Sequence, residues 1–575
     1  MSMPRLKILF VVSECVPFSK TGGLADVAGA LPVALAAAGH DVRVVMPAYR
    51  AAKRYLARQI ALAEQQPAGS EAVAAPAVAA AAAAGNGLAA AAPVADAAPA
   101  ADAAPPADAA PAADAAPPAD AAPAADAAQG GDGEPPADRF VPHRLPLSLG
   151  VPLGGGEAWT AVWETRLDPG APGAPAPRVY LLEHDVLYDR DGIYGDAHGE
   201  FGDNLARYAL LSRGALQLCH ALEFWPDIVH VHDWQSALVP LYLNVLEHRS
   251  PLARAASVLT IHNLGYQGWF NKGQLHTTGL GWDQFHRFCL EAYDSINLLK
   301  GGIYNATLVS TVSPRYAQEI QTWEGGEGLD GVLRDRGTDV IGILNGIDDS
   351  IWNPATDPHI AAPFSAEDLG GKRLCKAALQ REMGLEERPD VPLLGLISRL
   401  ATQKGIDILA GALDHILSLD VQLIVLGSGE RWAEDLFSRI SGASDRFRVY
   451  VGMNEGLAHR IEAGADLFLM PSRYEPCGLN QMYSQRYGTL PVVRAVGGLD
   501  DTVENNVTGF KFEEMSSSAL GNTVAWAVHL YRADPAYFRS MQLRAMKKNF
   551  GWAQAARQYE ALYRLAIARR TGRPF

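Results

Sequence analysis

Residues 8 to 26 read Ile8-Leu9-Phe10-Val11-Val12-Ser13-Glu14-Cys15-Val16-Pro17-Phe18-Ser19-Lys20-Thr21-Gly22-Gly23-Leu24-Ala25-Asp26. An unbroken apolar run of five residues reads as a strand buried on both faces. It passes through a short loop into Thr21-Gly22-Gly23, from which a helix runs to about Ala38. Strand, glycine-bearing loop and helix in that order make the opening unit of a parallel sheet with covered faces. The two glycines let backbone approach an anion, the helix start offers free N–H groups, and Lys20 adds a charge. The spacing is neither that of a Walker A loop nor Gly-x-Gly-x-x-Gly.

The same alternation recurs along the chain. Further apolar runs at Val42–Met46, Val179–Leu182, Ile228–Val231, Val258–Ile261, Leu308–Val312 and Ile341–Leu344 complete a first series. A second follows at Leu393–Ile397, Leu423–Leu426, Phe447–Val451, Leu467–Met470 and Pro491–Val493. Pro354, Pro358, Pro363 and Pro392 punctuate the gap between them, which also holds a helix from Lys372. The pattern predicts an α/β chain of two Rossmann-like, doubly wound domains facing a cleft, over residues 1–345 and 346–551. The terminal stretch 552–575, apolar at helical spacing through Ala556, Tyr559, Leu562 and Tyr563, is expected to pack back across the domain boundary.

The chain has 575 residues and a formal net charge of −15. Eleven of its acids lie in residues 64–138, which contain no Lys or Arg, so the remaining 500 residues carry only −4. In that segment an Asp recurs every six residues among Ala and Pro, with no aromatic side chain to bury. It reads as a disordered insertion. A nearly neutral body is a poor nucleic-acid binder. Five scattered cysteines argue for a reducing compartment and against a disulfide framework. With no run long enough to span a bilayer, the sequence predicts a cytoplasmic protein with no membrane partner.

Ligands of doubly wound sheets sit beyond the carboxyl ends of the strands, and four loops there carry unusual residues. Beside the Lys20 loop stands His230-Val231-His232-Asp233-Trp234, with His262-Asn263 ending the following strand. Alternation puts His230 and His232 on one face. That leaves a metal pair, a polar-ligand wall or a satisfied buried histidine as readings. Asp233 and Trp234 suit a sugar, one accepting hydroxyl hydrogen bonds and the other offering an aromatic face. Ser398-Arg399-Leu400-Ala401-Thr402-Gln403-Lys404-Gly405 sets two cations around a helix start, a plausible diphosphate clamp. Pro471-Ser472-Arg473-Tyr474-Glu475-Pro476-Cys477-Gly478-Leu479-Asn480 offers a carboxylate and another helix start. Cys477 has no neighbouring histidine base and reads as a packing residue.

Taken in order, Lys-Thr-Gly-Gly-Leu-Ala-Asp, His-Asp-Trp, His-Asn-Leu, Leu-Asn-Gly, Ser-Arg-Leu and Glu-Pro-Cys-Gly-Leu resemble the bacterial glycogen synthase family. These are retaining glucosyltransferases related to plant starch synthases. The resemblance covers roughly 5–60 and 140–570. It implies a GT-B arrangement and transfer of glucose from ADP-glucose to the nonreducing end of an α-1,4-glucan such as glycogen, with no cofactor and no metal. It also implies that Lys20 and Gly23 meet the diphosphate and glucosyl group, and that Arg399 and Lys404 clamp the phosphates with the backbone at Gly478, Leu479 and Asn480. Asp233, His262 and Glu475 would surround the donor sugar, in a pocket lined by Tyr194, Trp234, Asn263, Asn345 and Cys477. Tyr483 stands where other related retaining transferases often carry a second Glu, as it does in close relatives of glycogen synthase, and the chain departs from the family at Met453, where an aromatic commonly packs on adenine. A transferase using UDP-glucose or another acceptor is the principal alternative. A metal-dependent hydrolase on His230, His232 and His262, and a noncatalytic glucan-binding protein, are the others. Oligomeric state is not legible.

Overall fold

The computed structural model describes residues 4–65, 140–170 and 173–573. The insertion read at 64–138 therefore lies, from residue 66 on, outside the described residues. Nine strands form the first sheet: β1 (Lys7–Val11), β2 (Asp41–Pro47), β3 (His143–Leu153), β4 (Gly156–Arg166), β5 (Arg178–Glu183), β6 (Ile228–His232), β7 (Ala256–Ile261), β8 (Leu308–Thr311) and β9 (Val340–Gly342). Their spatial order is β9-β8-β7-β6-β1-β2-β5-β4-β3. All pairs are parallel except β3 with β4 and β4 with β5.

The second sheet has six strands: β10 (Leu393–Ile397), β11 (Gln422–Gly427), β12 (Phe447–Val451), β13 (Leu467–Met470), β14 (Leu490–Arg494) and β15 (Phe510–Phe512). They are parallel throughout, in the order β12-β11-β10-β13-β14-β15. Each of the twelve apolar runs falls on a strand. Strands β1, β6, β7, β10 and β13 are buried almost end to end because helices cover both faces. In each sheet the order reverses beside one strand, β1 in the first and β10 in the second. The four unusual loops follow β1, β6, β10 and β13, the strands on either side of those two switch points.

The hairpin of β3 and β4 lies outside the twelve runs. Leu145, Leu147, Leu149, Val151 and Leu153 alternate with polar, Gly or Pro residues, the signature of a strand buried on one face. The turn at Gly154-Gly155 follows, with Gly154 in the left-handed region at φ +60°. This hairpin closes the edge of the sheet.

Two segments link the sheets, and they meet. The Ile347 amide donates to the Phe550 carbonyl at 2.9 Å. A Cβ on Gly346 would stand 2.8 Å from the Trp552 Cα, so only glycine allows that approach. Beyond it, helix Trp552–Thr571 packs on the first helix, Gly23–Ala37, and on β6 and β7, burying Tyr559, Leu562, Tyr563 and Ala566. Chain that has just left the second sheet thus completes the core of the first.

Deleting the Leu562 side chain leaves a cavity in that core, so Leu562→Ala is expected to cost about 2–5 kcal/mol. Arg569→Ala, on the same helix in a half-exposed pair with Asp339, should cost about 1 kcal/mol or less. Denaturant unfolding of the two variants checks the difference; equal effects would show that the helix is not part of this core.

Candidate active site

The loop after β1 is organised around Glu14. Its carboxylate is buried and accepts hydrogen bonds from the Thr21 amide and the Thr21 hydroxyl, the latter at 2.8 Å. Burial outweighs these bonds and pushes the Glu14 carboxyl up to about 7. Alongside, Ser13 Oγ and the Tyr194 hydroxyl are 2.8 Å apart. Lys20 reaches outward and pairs with Asp26 at 2.7 Å. Gly22 and Gly23 open the first helix with no side-chain cap. A Cβ on Gly23 would lie 4.0 Å from Leu479 of the opposite sheet's loop, so the two halves approach closely here. Glu14 was not singled out from sequence, although an acid three residues beyond the buried strand β1 is the signal that could have found it.

The second group stands on β6 and β7. His230 is buried and bonded at both ring nitrogens, to the Tyr563 hydroxyl at 2.9 Å and to Thr260 Oγ1 at 2.6 Å. It is therefore a satisfied core histidine. His232 Nδ1 lies 2.9 Å from His262 Nε2. Burial holds both rings neutral, with His262 pushed down to about 3 and His232 well below its usual value.

Asp233 turns the chain at φ +53°, a left-handed conformation that costs a non-glycine residue energy. Two bonds hold the turn to β7: the Asp233 amide donates to the Thr260 carbonyl at 2.9 Å, and Asp233 Oδ1 accepts the His262 amide at 2.7 Å. Burial pushes the Asp233 carboxyl up to about 7. Trp234 is buried instead of open to the cleft. Its ring meets Tyr208 edge-on at 5.0 Å and leans on Phe270. Asn263 Oδ1 accepts the Gly265 amide at 3.0 Å.

The third group joins the loops after β10 and β13. Lys404 Nζ lies 2.6 Å from Glu475 Oε2, and Ser472 Oγ donates to the same oxygen at 3.1 Å. Gly405, at φ +70°, makes this meeting possible, because a Cβ there would run into the Pro471 carbonyl. Arg399 is exposed and donates to Gln403 at 2.9 Å. The Asn480 amide nitrogen donates to the Ile397 carbonyl at 2.7 Å, tying one loop to the end of β10. Lys404, Glu475, Gly478, Leu479 and Asn480 line one small cavity between these strand ends. Cys477 is buried, its thiol pushed up to about 12 by that burial. The Asn345 Oδ1 atom is buried with no hydrogen-bond partner among the described residues. Met453 is exposed on the loop after β12.

The arrangement gathers cations, amide donors and carboxylates around one cleft, which suits an anionic leaving group attached to a polyhydroxylated ring. Among the described residues no group of three or more His, Cys, Asp or Glu side chains is arranged to hold a metal ion. No described helix is long and apolar enough to cross a membrane.

Known proteins resemble this chain over nearly its whole length. The family of starch synthase catalytic domains matches residues 7–83 and 146–335, and that of group 1 glycosyl transferases matches 383–540. Glycogen synthase 1 of Geobacter sulfurreducens is 44% identical, covering 99% of this chain and 98% of its own. The glycogen synthase of Treponema denticola is 38% identical, covering 98% and 99%. Among solved structures, the catalytic domain of starch synthase IV from Arabidopsis thaliana, bound to ADP and acarbose, superposes with a TM-score of 0.77 at 29% identity, covering 98% of this chain and all of that one.

The two raised carboxyls give a signed pH dependence. Asp233 and Glu14 keep their protons up to about 7 when folded, against ordinary values of 3.8 and 4.5. Folding thus takes up protons between those limits: stability is greatest at the acid end, falls as pH rises towards 7, and levels off above it. Asp233→Asn and Glu14→Gln should each flatten that slope in thermal unfolding scans from about pH 5 to about pH 8. Slopes identical to wild type in both would mean that these carboxyls are already ionised in the fold.

Proposed function

The chain belongs to the glycogen synthase family of hexosyltransferases, which move glucose from a nucleotide sugar to a glucan, and we propose that its own donor is ADP-glucose and its acceptor the nonreducing end of glycogen. The observation that carries this reading is the Lys404–Glu475 pair beside Gly478, Leu479 and Asn480, at the switch point of the second sheet. A cation, a carboxylate and an uncapped helix start converge there as a diphosphate-linked sugar requires. The ADP in the starch synthase IV structure supports the choice of base.

In this reading residues 346–551 hold the nucleotide sugar, residues 1–345 supply the acceptor side, and the terminal helix of 552–575 ties the halves together. Arg399 and Lys404 neutralise the departing diphosphate, helped by Lys20 and by the amides at Leu479 and Asn480. Asp233, His262 and Glu475 surround the glucosyl group, with Gly23, Tyr194, Asn263, Asn345 and Cys477 around them. Trp234 supports that wall from behind, since its ring is buried.

The chemistry follows from the charges. The bond between the anomeric carbon and the β-phosphate oxygen breaks, placing positive charge on the sugar and negative charge on ADP. A bond from the acceptor's 4-hydroxyl oxygen forms on the same face, and its proton passes to the departing phosphate. Glu475 is bound to Lys404 and Ser472, which makes it a poor nucleophile and a good fixed acceptor for a sugar hydroxyl. His262, held neutral by burial, cannot act as an acid and instead offers a hydrogen bond. UDP-glucose is the second reading, left open by Met453, whose thioether stands where an aromatic commonly packs on adenine and can itself pack on a base.

The test is glucose incorporation into glycogen from ADP-glucose and UDP-glucose in parallel, each with and without EDTA. Chelator-resistant incorporation, faster from ADP-glucose, is expected. Faster transfer from UDP-glucose would move the donor assignment to UDP-glucose, with Met453 as the first residue to test, and no transfer from either would sink the proposal. Arg399→Gln should lower kcat by about 10²–10³-fold with thermal stability unchanged, because the side chain it alters is exposed.

A further inference from the structure

The histidine contact under the sugar site fixes more than a position. His232 is fully buried at the end of β6. Its ring packs in one aromatic cluster with Phe10, stacked at 5.5 Å and 19°, and His230, with centroids 4.2 Å apart. Its backbone is clamped as well: the His232 amide donates to Ser236 Oγ at 2.7 Å, and the Ser236 hydroxyl donates back to the His232 carbonyl at 2.8 Å. The ring therefore has one orientation, and in it Nδ1 faces His262 Nε2 at 2.9 Å.

Between two neutral imidazoles one nitrogen must donate and the other accept. If His262 donated from Nε2, His232 would carry its own proton on Nε2, which is buried and has no hydrogen-bond partner among the described residues. Buried donors without acceptors are rarer than under-satisfied acceptors. The opposite arrangement leaves only a lone pair unsatisfied. We propose that His232 is a positioning residue: its Nδ1–H donates to His262 Nε2 and so fixes His262 as the Nδ1–H tautomer, a hydrogen-bond donor turned to the glucosyl group. The partner of a functional histidine sets its tautomer and ring orientation in the same way elsewhere.

This rests on the glucosyl-transfer reading, and the test separates the two. His232→Phe keeps an aromatic ring but removes the donor. His232→Asn keeps an amide N–H close to where Nδ1 stood. The Phe variant should lose about 10- to 100-fold in kcat, with KM for the sugar donor changed by about twofold or less. The Asn variant should recover most of the loss. A ring needed only for packing would favour Phe over Asn, or would move thermal stability without this split. Equal activity in the two variants, or better activity with Phe, would overturn the proposal.

The second readout needs no substrate. In the full-length protein with 15N-labelled histidine, His262 Nδ1 should show the shift of a protonated ring nitrogen and Nε2 that of an unprotonated one, assigned by their loss in His262→Asn. The reverse pattern would overturn the tautomer. Failure of wild-type protein to transfer glucose would strike the functional reading alone.

Discussion

Glu475 is a carboxylate in a nearly closed environment, and a buried charge without partners is too costly to keep. Its partners are Lys404 and Ser472, at 2.6 and 3.1 Å. Much of the second half is arranged to make that meeting possible. Lys404 comes from the loop after β10 and Glu475 from the loop after β13, and these strands are neighbours only because the sheet reverses its order there. The loops then touch because Gly405 has no Cβ to strike the Pro471 carbonyl. Such a pair adds little net stability, since desolvation offsets the attraction. What it supplies is place: a cation and an acceptor fixed within one hydrogen bond of each other at the mouth of the sheet.

The first half meets the same requirement without a cation. Asp233 and Glu14 are both buried acids; backbone amides and a hydroxyl bond them, but burial outweighs those bonds, so both retain their protons near neutrality. The left-handed turn at Asp233 is strained, and two bonds to β7 hold it. Beneath it the terminal helix supplies the Tyr563 hydroxyl to His230, and His230 bonds Thr260, which in turn bonds Ser310 at 2.6 Å. Strand ends, turn and helix therefore form one hydrogen-bonded block. Disturbing the helix would reach the sugar site through contacts that can be named.

How much of this was legible in the sequence depended on how local the signal was. Strands covered on both faces are continuous apolar runs, so Ile8–Val12 and Leu393–Ile397 declare themselves. The β3–β4 hairpin does not, because an edge strand with one wet face alternates, and Leu145 to Leu153 resembles a loop rich in Pro and Gly. Strand β15 has only three residues, Phe510-Lys511-Phe512, too few for any periodicity. In the site, Lys404 and Arg399 were readable as cations at a helix start. The partner of Lys404 was not, because Glu475 is 71 residues away and the contact exists only through sheet order. The His232–His262 contact depends likewise on the register of β6 against β7, which sets His232 beside Thr260. Trp234 shows the limit of reading by residue type: an aromatic beside an aspartate suggests a sugar platform, yet the close passage of Gly268 and the packing of Tyr208 leave its ring inside.

The charges on the two walls of the cleft are not equivalent, and the difference bears on how an anion is held. Lys20 pairs with Asp26 and Lys404 with Glu475, so each cation arrives with a carboxylate already beside it. Arg399 donates to the neutral side-chain amide of Gln403 and pairs with no carboxylate among the described residues. In the proposed donor complex a diphosphate would meet one guanidinium free of a carboxylate partner, whose fork suits two phosphate oxygens. The two lysines can turn to it only by sharing or leaving their carboxylates. That exchange is least costly for Lys20, which is exposed, and most costly for Lys404, whose partner is buried. In the proposed reading, first contact with the anion then falls chiefly to Arg399 and Lys20 at the surface, while Lys404 neutralises the departing diphosphate from beside Glu475, whose place it fixes.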